Sequence, residues 1–324
     1  MGSETQSGKL QLPLVDFTNE DTKPGTETWV SACQVVRSAL EDHGGFLAIY
    51  DKVSPELDNS VYSVMEQLFD LLSAEAKKEI TADKKFHGYV GNLPHLPLYE
   101  SLGVDSPLSI EAVQNYSRTI WPSGNDKFCE SANSYAKLVK ELEDTVMRMV
   151  FESYGLERQK CDSLLESMED SLRSYKYREP QMDETNLGIV PHTDATFISI
   201  LHQKETGLEI KLKDGNWFEV DNSPSSFLVI AGDVLTVWSN GRISPGVHRV
   251  VMKSRKTRYS TGLISHITKI VQPEEELIDD EHPRRYKTLE HFDYLAYVFT
   301  EEGHKYFGRP RIDSYFLSQA HTVT

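Results

Sequence analysis

A single residue separates His192 from Asp194. On an extended strand, side chains alternate between faces with a period of two, so this imidazole and carboxylate point the same way. The pair can share a metal ion only if a third donor arrives from elsewhere, and the candidate is His248, far downstream. The chain must therefore fold so that a distant segment returns beside the first. Two imidazole nitrogens and one carboxylate oxygen would then occupy one side of a metal ion and leave the other side open. Arg258 and Ser260 repeat the spacing of two. A guanidinium and a hydroxyl on one strand face form a receptor for a carboxylate, with two parallel N–H···O bonds and one further donor. A metal with open positions beside a carboxylate clamp suits a chelating keto acid.

The texture around these residues is that of short strands. Ser171 to Tyr177, Ala195 to His202, Leu208 to Leu212, Trp217 to Val220, Phe227 to Ile230, Val234 to Trp238, His248 to Met252 and Tyr259 to Ser265 are strand candidates, with turn signals at Asp214-Gly215 and Ser239-Asn240-Gly241. Such a run predicts a double-sheet jelly roll. Upstream, Gln11 to Phe17 and Phe46 to Tyr50 read as strands amid helical periodicity. Thr28 is expected to cap a helix that stops at Gly44-Gly45, a second helix begins near Pro55, and a long one runs from Asp126 to Tyr154, with Gly155 as its cap. Phe86 to Leu98 follows neither period and predicts a loop, with His87 and His95 as surface or hydrogen-bonding groups. A final helix is expected near Glu290 to Phe299, and the acidic run from Glu274 to Glu281 reads as exposed loop. The expected fold class is α+β with a mainly β core: a double-stranded β-helix (jelly roll) with an N-terminal helical layer and a C-terminal helix. Residues 1–324 are expected to form one compact unit, with a mostly helical part over 1–170, the jelly roll over 171–270, and a helix and tail over 271–324.

A formal charge of −16 disfavours a sequence-independent grip on nucleic acid and attachment to an anionic membrane surface. Cys33, Cys129 and Cys161 lack metal-type spacing and read as free thiols in a reducing compartment. There is no apolar run of membrane-spanning length and no secretory signal, and Gln6 stands where a myristoylation motif needs Ser or Thr. A monomer in the cytoplasm is the expectation.

The joint order of His-x-Asp, a distant His and then Arg-x-Ser resembles the signature of the plant 2-oxoglutarate- and iron(II)-dependent dioxygenases. Leu12 to Phe17 looks like the opening strand of that family, His43-Gly44-Gly45-Phe46 like its Gly-Phe element, and Gly88-Tyr89 like its Gly-Tyr loop. Tyr175-Lys176-Tyr177 stands where the family usually has Asn-Tyr-Tyr, so Tyr177 matches the tyrosine that bonds the keto acid and Tyr175 replaces the asparagine. Glu100-Ser101-Leu102-Gly103 and Trp121-Pro122-x-Gly124-Asn125 resemble a specialised-metabolism branch that includes enzymes making alkenyl and hydroxyalkyl glucosinolates.

The resemblance implies that His192, Asp194 and His248 hold Fe(II), that Arg258, Ser260 and Tyr177 bind 2-oxoglutarate, and that O2 is the second cosubstrate, with ascorbate as reductant. It implies oxidative decarboxylation of 2-oxoglutarate to succinate and CO2, coupled to hydroxylation, desaturation or dealkylation of a small plant metabolite. By position in the family, Asn115, Ser117, Phe197, Ile264, His266 and Phe316 are expected to face that substrate. Ile264 and His266 also share a strand face with Ser260. Two alternatives stay open. One is a same-fold oxidase that does not use 2-oxoglutarate, which coupled succinate release would separate. The other is a catalytically silent metabolite- or hormone-binding protein, which oxygen uptake would separate. A zinc hydrolase would leave the arginine clamp without a task.

Overall fold

Strand pairing carries the architecture. The computed structural model describes residues 11–73, 77, 80, 88–305 and 311–321. Among these the strands are β1 (Leu14–Asp16), β2 (Gly45–Ile49), β3 (Tyr89–Leu93), β4 (Leu96–Asp105), β5 (Met168–Tyr177), β6 (Leu187–His192), β7 (Ile198–Gln203), β8 (Leu208–Lys211), β9 (Trp217–Glu219), β10 (Ser226–Ala231), β11 (His248–Val251) and β12 (Arg258–Ile267). A major sheet has the order β1-β2-β10-β7-β12-β5-β4-β3, and a minor sheet the order β6-β11-β8-β9. Pairing is antiparallel except between β1 and β2. Leu47, Leu228 and Ile230 of the major sheet pack with Ile189, Leu208, Ile210 and Val250 of the minor one. The two inner faces thus form the jelly roll, with α+β character supplied by helices outside it.

The helices are α1 (Glu27–His43), α2 (Pro55–Leu71), α3 (Ile110–Ile120), α4 (Asp126–Ser153), α5 (Arg158–Leu165), α6 (Asp233–Trp238), α7 (His291–Val298), α8 (Glu301–Lys305) and α9 (Arg311–His321). In α4, Val139, Leu142, Val146, Met149 and Val150 form an apolar stripe of helical period, fully buried in the larger core with Ile200, Phe227 and Leu263 of the major sheet. Tyr135 fixes the helix to β12 through a 2.8 Å bond to Thr261 Oγ1. The helix stops where Gly155 turns left-handed at φ +71°, and Leu156 N–H returns 2.9 Å to the Phe151 carbonyl. Among the described residues, no helix is long and apolar enough to cross a membrane.

Several expectations need correction. Thr26, not Thr28, caps α1, accepting Trp29 N–H at 3.1 Å. Val234 to Trp238 is helical: α6 is buried on every side, so no polar face marks its period, and its β-branched residues mimic a strand. The stretch read as a loop from Phe86 to Leu98 is, over its described residues, largely the β3–β4 hairpin. Pro94 and Pro97 obscure its alternation, in which buried Leu96 and Leu98 flank an exposed Pro97. His87 lies outside the described residues. α3, α5, α8 and α9 are helices that the sequence analysis does not anticipate.

Glu143 of α4 is fully buried 3.5 Å from Lys140. Burial pushes its carboxyl up to about 7, against the pull of Lys140 and with the push of Asp170. Because the folded carboxyl holds its proton to higher pH than the unfolded one, stability from this group falls as pH rises from 4.5 to about 7. Urea unfolding across that window should show wild type losing at least about 1 kcal/mol relative to Glu143→Gln.

Candidate active site

The minor sheet brings the separated histidines together. β6 ends on His192, β11 begins on His248, and the two residues are cross-strand partners. Their rings stand 4.2 Å apart, centroid to centroid. Asp194, two residues past His192, brings Oδ1 to 3.6 Å from the Nε2 of both. Each imidazole places Nδ1 against a carbonyl two residues earlier, His192 to Val190 at 2.9 Å and His248 to Gly246 at 3.1 Å. A carbonyl can only accept, so the protons sit on Nδ1 and both Nε2 lone pairs turn toward the carboxylate.

Three acceptors facing one another, all within 4.8 Å, repel unless a cation lies among them. Two neutral imidazoles and one carboxylate, with an open side, are the donor set that iron(II) accepts in its facial sites, so the residues present fit such an ion. The electrostatics agree. Burial, then the neighbouring His248, lowers His192 to about 3, which keeps it neutral and able to bind metal. Burial alone would raise Asp194, yet the positive charge that either imidazole carries when protonated, with the Ser199 hydroxyl and the Arg311 guanidinium, holds it below the usual carboxylate range.

Beside this cluster, β12 presents Arg258 and Ser260 on one face. Arg258 is only 3% exposed. Its Nε donates to the Thr206 carbonyl at 3.2 Å, its Nη2 to Gln203 Oε1 at 2.5 Å and its Nη1 to Ser260 Oγ at 3.2 Å, and its guanidinium lies 5.2 Å from the Tyr177 ring centre. Gln203 is anchored in turn, donating to the Val220 carbonyl at 2.8 Å and accepting Leu208 N–H at 3.2 Å. Gly188 leaves room for Tyr177, since a Cβ there would fall 2.6 Å from the ring.

His192, Asp194, His248, Arg258, Ser260 and Tyr177 all border one cavity of about 230 Å³, as do Ile264 and His266. The other four residues expected at the substrate lie elsewhere. Phe197 is fully buried against Trp238, ring centres 6.3 Å apart, because it faces the helical core. Ser117 Oγ accepts Asn125 N–H at 3.0 Å and ties down the 121–125 turn. Asn115 is exposed and bonds Arg118 at 3.1 Å, and Phe316 packs on Tyr286 and Tyr315. Sequence reading missed Gln203, Tyr99, Arg173 and Arg311, along with Leu295, Val298 and Phe299 of the α7 end, all at the cavity or its clamp. Arg173 was legible by its period-two spacing from Tyr175 and Tyr177. Arg311 was not, because it reaches the Thr193 carbonyl at 2.5 Å from the remote α9.

Residues 168–266 match the 2OG-Fe(II) oxygenase superfamily, and residues 12–123 match the N-terminal region described as non-haem dioxygenase in morphine synthesis. The chain is 42% identical over 307 residues to a probable 2-oxoglutarate-dependent dioxygenase, AOP1.2, of Arabidopsis thaliana, covering 92% of this chain and 94% of that one. It is 30% identical to the 2-oxoglutarate-dependent dioxygenase AOP3 of the same plant, with 91% and 95% covered. Among solved structures, it resembles the rice dioxygenase for auxin oxidation (TM-score 0.75, 27% identity, 89% of this chain and 95% of that one covered). It likewise resembles the 2-oxoglutarate complex of the Arabidopsis thaliana counterpart (TM-score 0.74, 29% identity, 85% and 100% covered).

Gln203→Leu should cost about 1.5–3 kcal/mol of unfolding free energy, the range for a hydrogen bond to a charged group, because buried Arg258 loses one of its two side-chain acceptors. Urea titration of both proteins measures it.

Proposed function

This chain belongs to the 2OG-Fe(II) oxygenase superfamily and is a 2-oxoglutarate-dependent dioxygenase, and on that premise we propose that His192, Asp194 and His248 hold its iron, that Arg258, Ser260 and Tyr177 hold its 2-oxoglutarate, and that it oxidises a small specialised plant metabolite. The observation that carries the site assignment is the cross-strand pairing of His192 with His248 beside Asp194, in the same cavity as a buried arginine. Resemblance to dioxygenases named for auxin oxidation and to the AOP group supports a small organic substrate from plant metabolism. The reading includes a chain that works as one compact monomer in the cytoplasm, away from nucleic acid and membranes, and a charge of −16 supports the latter part.

Iron(II), when bound, supplies the redox chemistry that couples O2 and the decarboxylation of 2-oxoglutarate to succinate and CO2 with hydroxylation, desaturation or dealkylation of the substrate. The residues do the rest. The carbonyls of Val190 and Gly246 keep both imidazoles in the metal-binding tautomer. Arg258 receives the far carboxylate of the diacid, Ser260 adds a hydroxyl, and Tyr177 covers the guanidinium. A monocarboxylate keto acid such as pyruvate would leave that buried charge unanswered, and breaking a buried pair costs about 3–5 kcal/mol, which favours the five-carbon diacid. Leu201, Leu208, Ile189 and Val250 line this end and keep water out. The intact clamp counts against an oxidase that dispenses with 2-oxoglutarate.

Calorimetry under argon should find one Fe(II) bound by wild type and affinity lost by roughly a hundredfold in His192→Ala or Asp194→Ala, with substrate-coupled succinate release abolished. Arg258→Ala should keep the iron and raise the 2-oxoglutarate requirement roughly tenfold or more. Equal iron affinity in the His192 variant, or unchanged 2-oxoglutarate kinetics in the Arg258 variant, would overturn the corresponding assignment.

A further inference from the structure

We propose that His291 and Arg311 are positioning residues for the iron site: by holding the backbone carbonyls on either side of Asp194, they aim its carboxylate at the metal. The inference rests on the reading of His192, Asp194 and His248 as the iron ligands.

Asp194 lies beyond the last residue of β6, so strand alternation does not fix where its carboxylate points. The chain leaves the sheet at Thr193 and re-enters a strand only at Ile198. Buried carbonyls in such a connection have no ladder partners and need donors from elsewhere. Four in succession find them. Arg311 Nη2 donates to Thr193 at 2.5 Å, the Asp233 N–H to Asp194 at 2.8 Å, His291 Nε2 to Ala195 at 2.8 Å and the Val234 N–H to Thr196 at 3.2 Å. The two backbone donors belong to the first turn of α6, whose N–H groups have no partners within the helix. That turn comes close because Gly232 lacks a side chain, and a Cβ there would fall onto the Thr196 carbonyl oxygen. The donors to the two residues flanking Asp194 are side chains, one from α7 and one from α9.

Each side chain is itself fixed. His291 Nδ1 accepts the Ile267 N–H at 2.9 Å, and a backbone N–H can only donate, so the ring's proton sits on Nε2 and points at Ala195. Burial lowers His291 to about 4, which keeps the ring neutral with that one proton. A neutral ring acts on the metal through geometry and not through its field. Arg311 is buried at the start of α9 and has the buried Asp233 as a charged neighbour, whose carboxylate also accepts from the Tyr294 hydroxyl of α7. The two charges oppose one another, so the pair adds little net charge beside the metal. α7 and α9 are tied together as well, through the Tyr297 and Ser314 hydroxyls at 3.1 Å and the Tyr294 and Tyr315 rings, 5.3 Å apart between centres.

The labour of orienting the ligands is thus divided. The imidazoles are turned by carbonyls of the minor sheet and its approach, at Val190 and Gly246, whereas the carboxylate is aimed from outside the sheet by α6, α7 and α9. Partners that orient a metal ligand without touching the metal typically contribute about 10–100-fold in metal affinity. Iron binding is thereby made to depend on how α7 and α9 pack.

The test measures Fe(II) binding by calorimetry under argon, with circular dichroism checking that each variant folds. His291→Asn keeps an acceptor for Ile267 but is too short to reach Ala195, while His291→Gln is long enough to place an N–H there. Arg311→Met fills similar space without a donor, while Arg311→Lys keeps one. The Asn and Met variants should bind iron at least about tenfold more weakly than wild type, and the Gln and Lys variants should recover most of that loss. In an Asp194→Ala background, adding His291→Asn should cost no further affinity, because the carboxylate through which it acts is gone. Folded Asn and Met variants that match wild type overturn the proposal, as does equal weakening within either pair or an undiminished loss in the Asp194→Ala background. Failure of both the Asn and Met variants to fold also overturns it, since the two roles would then be structural. If only one fails to fold, the pair at the other residue decides. Failure of the metal reading looks different: wild type would take up no Fe(II), or His192→Ala would bind it as tightly as wild type does, and the proposal falls with it.

Discussion

The pairing of β6 with β11 is what the site depends on. It converts a separation along the chain into a cross-strand contact, His192 opposite His248, and the backbone on either side supplies the carbonyls that orient both rings. Slipping that register by one residue would turn each imidazole to the other face of the sheet and dissolve the site. The ladder shifts register immediately past this pair, between His248 and Val250 and again between Val250 and Val251.

β5 and β12 run antiparallel along their whole length and act as a ruler for the cavity. Arg258, Ser260, Ile264 and His266 lie on the inward face of β12, and Arg173, Tyr175 and Tyr177 on that of β5. The strands on either side contribute according to the room available. β7 supplies Gln203 to brace Arg258, and β4 supplies Tyr99 and the glycine beside Arg173. Outside the sheet, α4 is held through Tyr135 and Thr261, so the helical layer stiffens the strand that carries the clamp.

Burial gives these groups their properties. The same desolvation that keeps His192 neutral makes a buried guanidinium depend on its acceptors, which Arg258 finds in the Thr206 carbonyl, Ser260 and Gln203. A single physical condition thus ties the proposed metal ligands and the proposed cosubstrate clamp together.

By itself the sequence determined what period and spacing can carry: the metal triad, Arg258 with Ser260, the long helix from 126 to 153, and the jelly roll from its short strands and turns. Local rules reach that far because alternation and helical period are properties of a few neighbouring residues. They failed where burial removes the pattern, as in the all-buried α6, or where prolines interrupt it, as in the β3–β4 hairpin. They also misplaced Phe197 and Ser117, whose surroundings are set by what packs against them rather than by their place in the chain. Only the tertiary structure decided that Gln203 braces Arg258, that Arg311 arrives from α9 at the Thr193 carbonyl, and that Gly103 leaves space for Arg173 while Gly262 leaves space for Leu201 and Tyr175. Those facts depend on distances between segments remote in the chain, which strand register and helix packing fix and residue order alone does not.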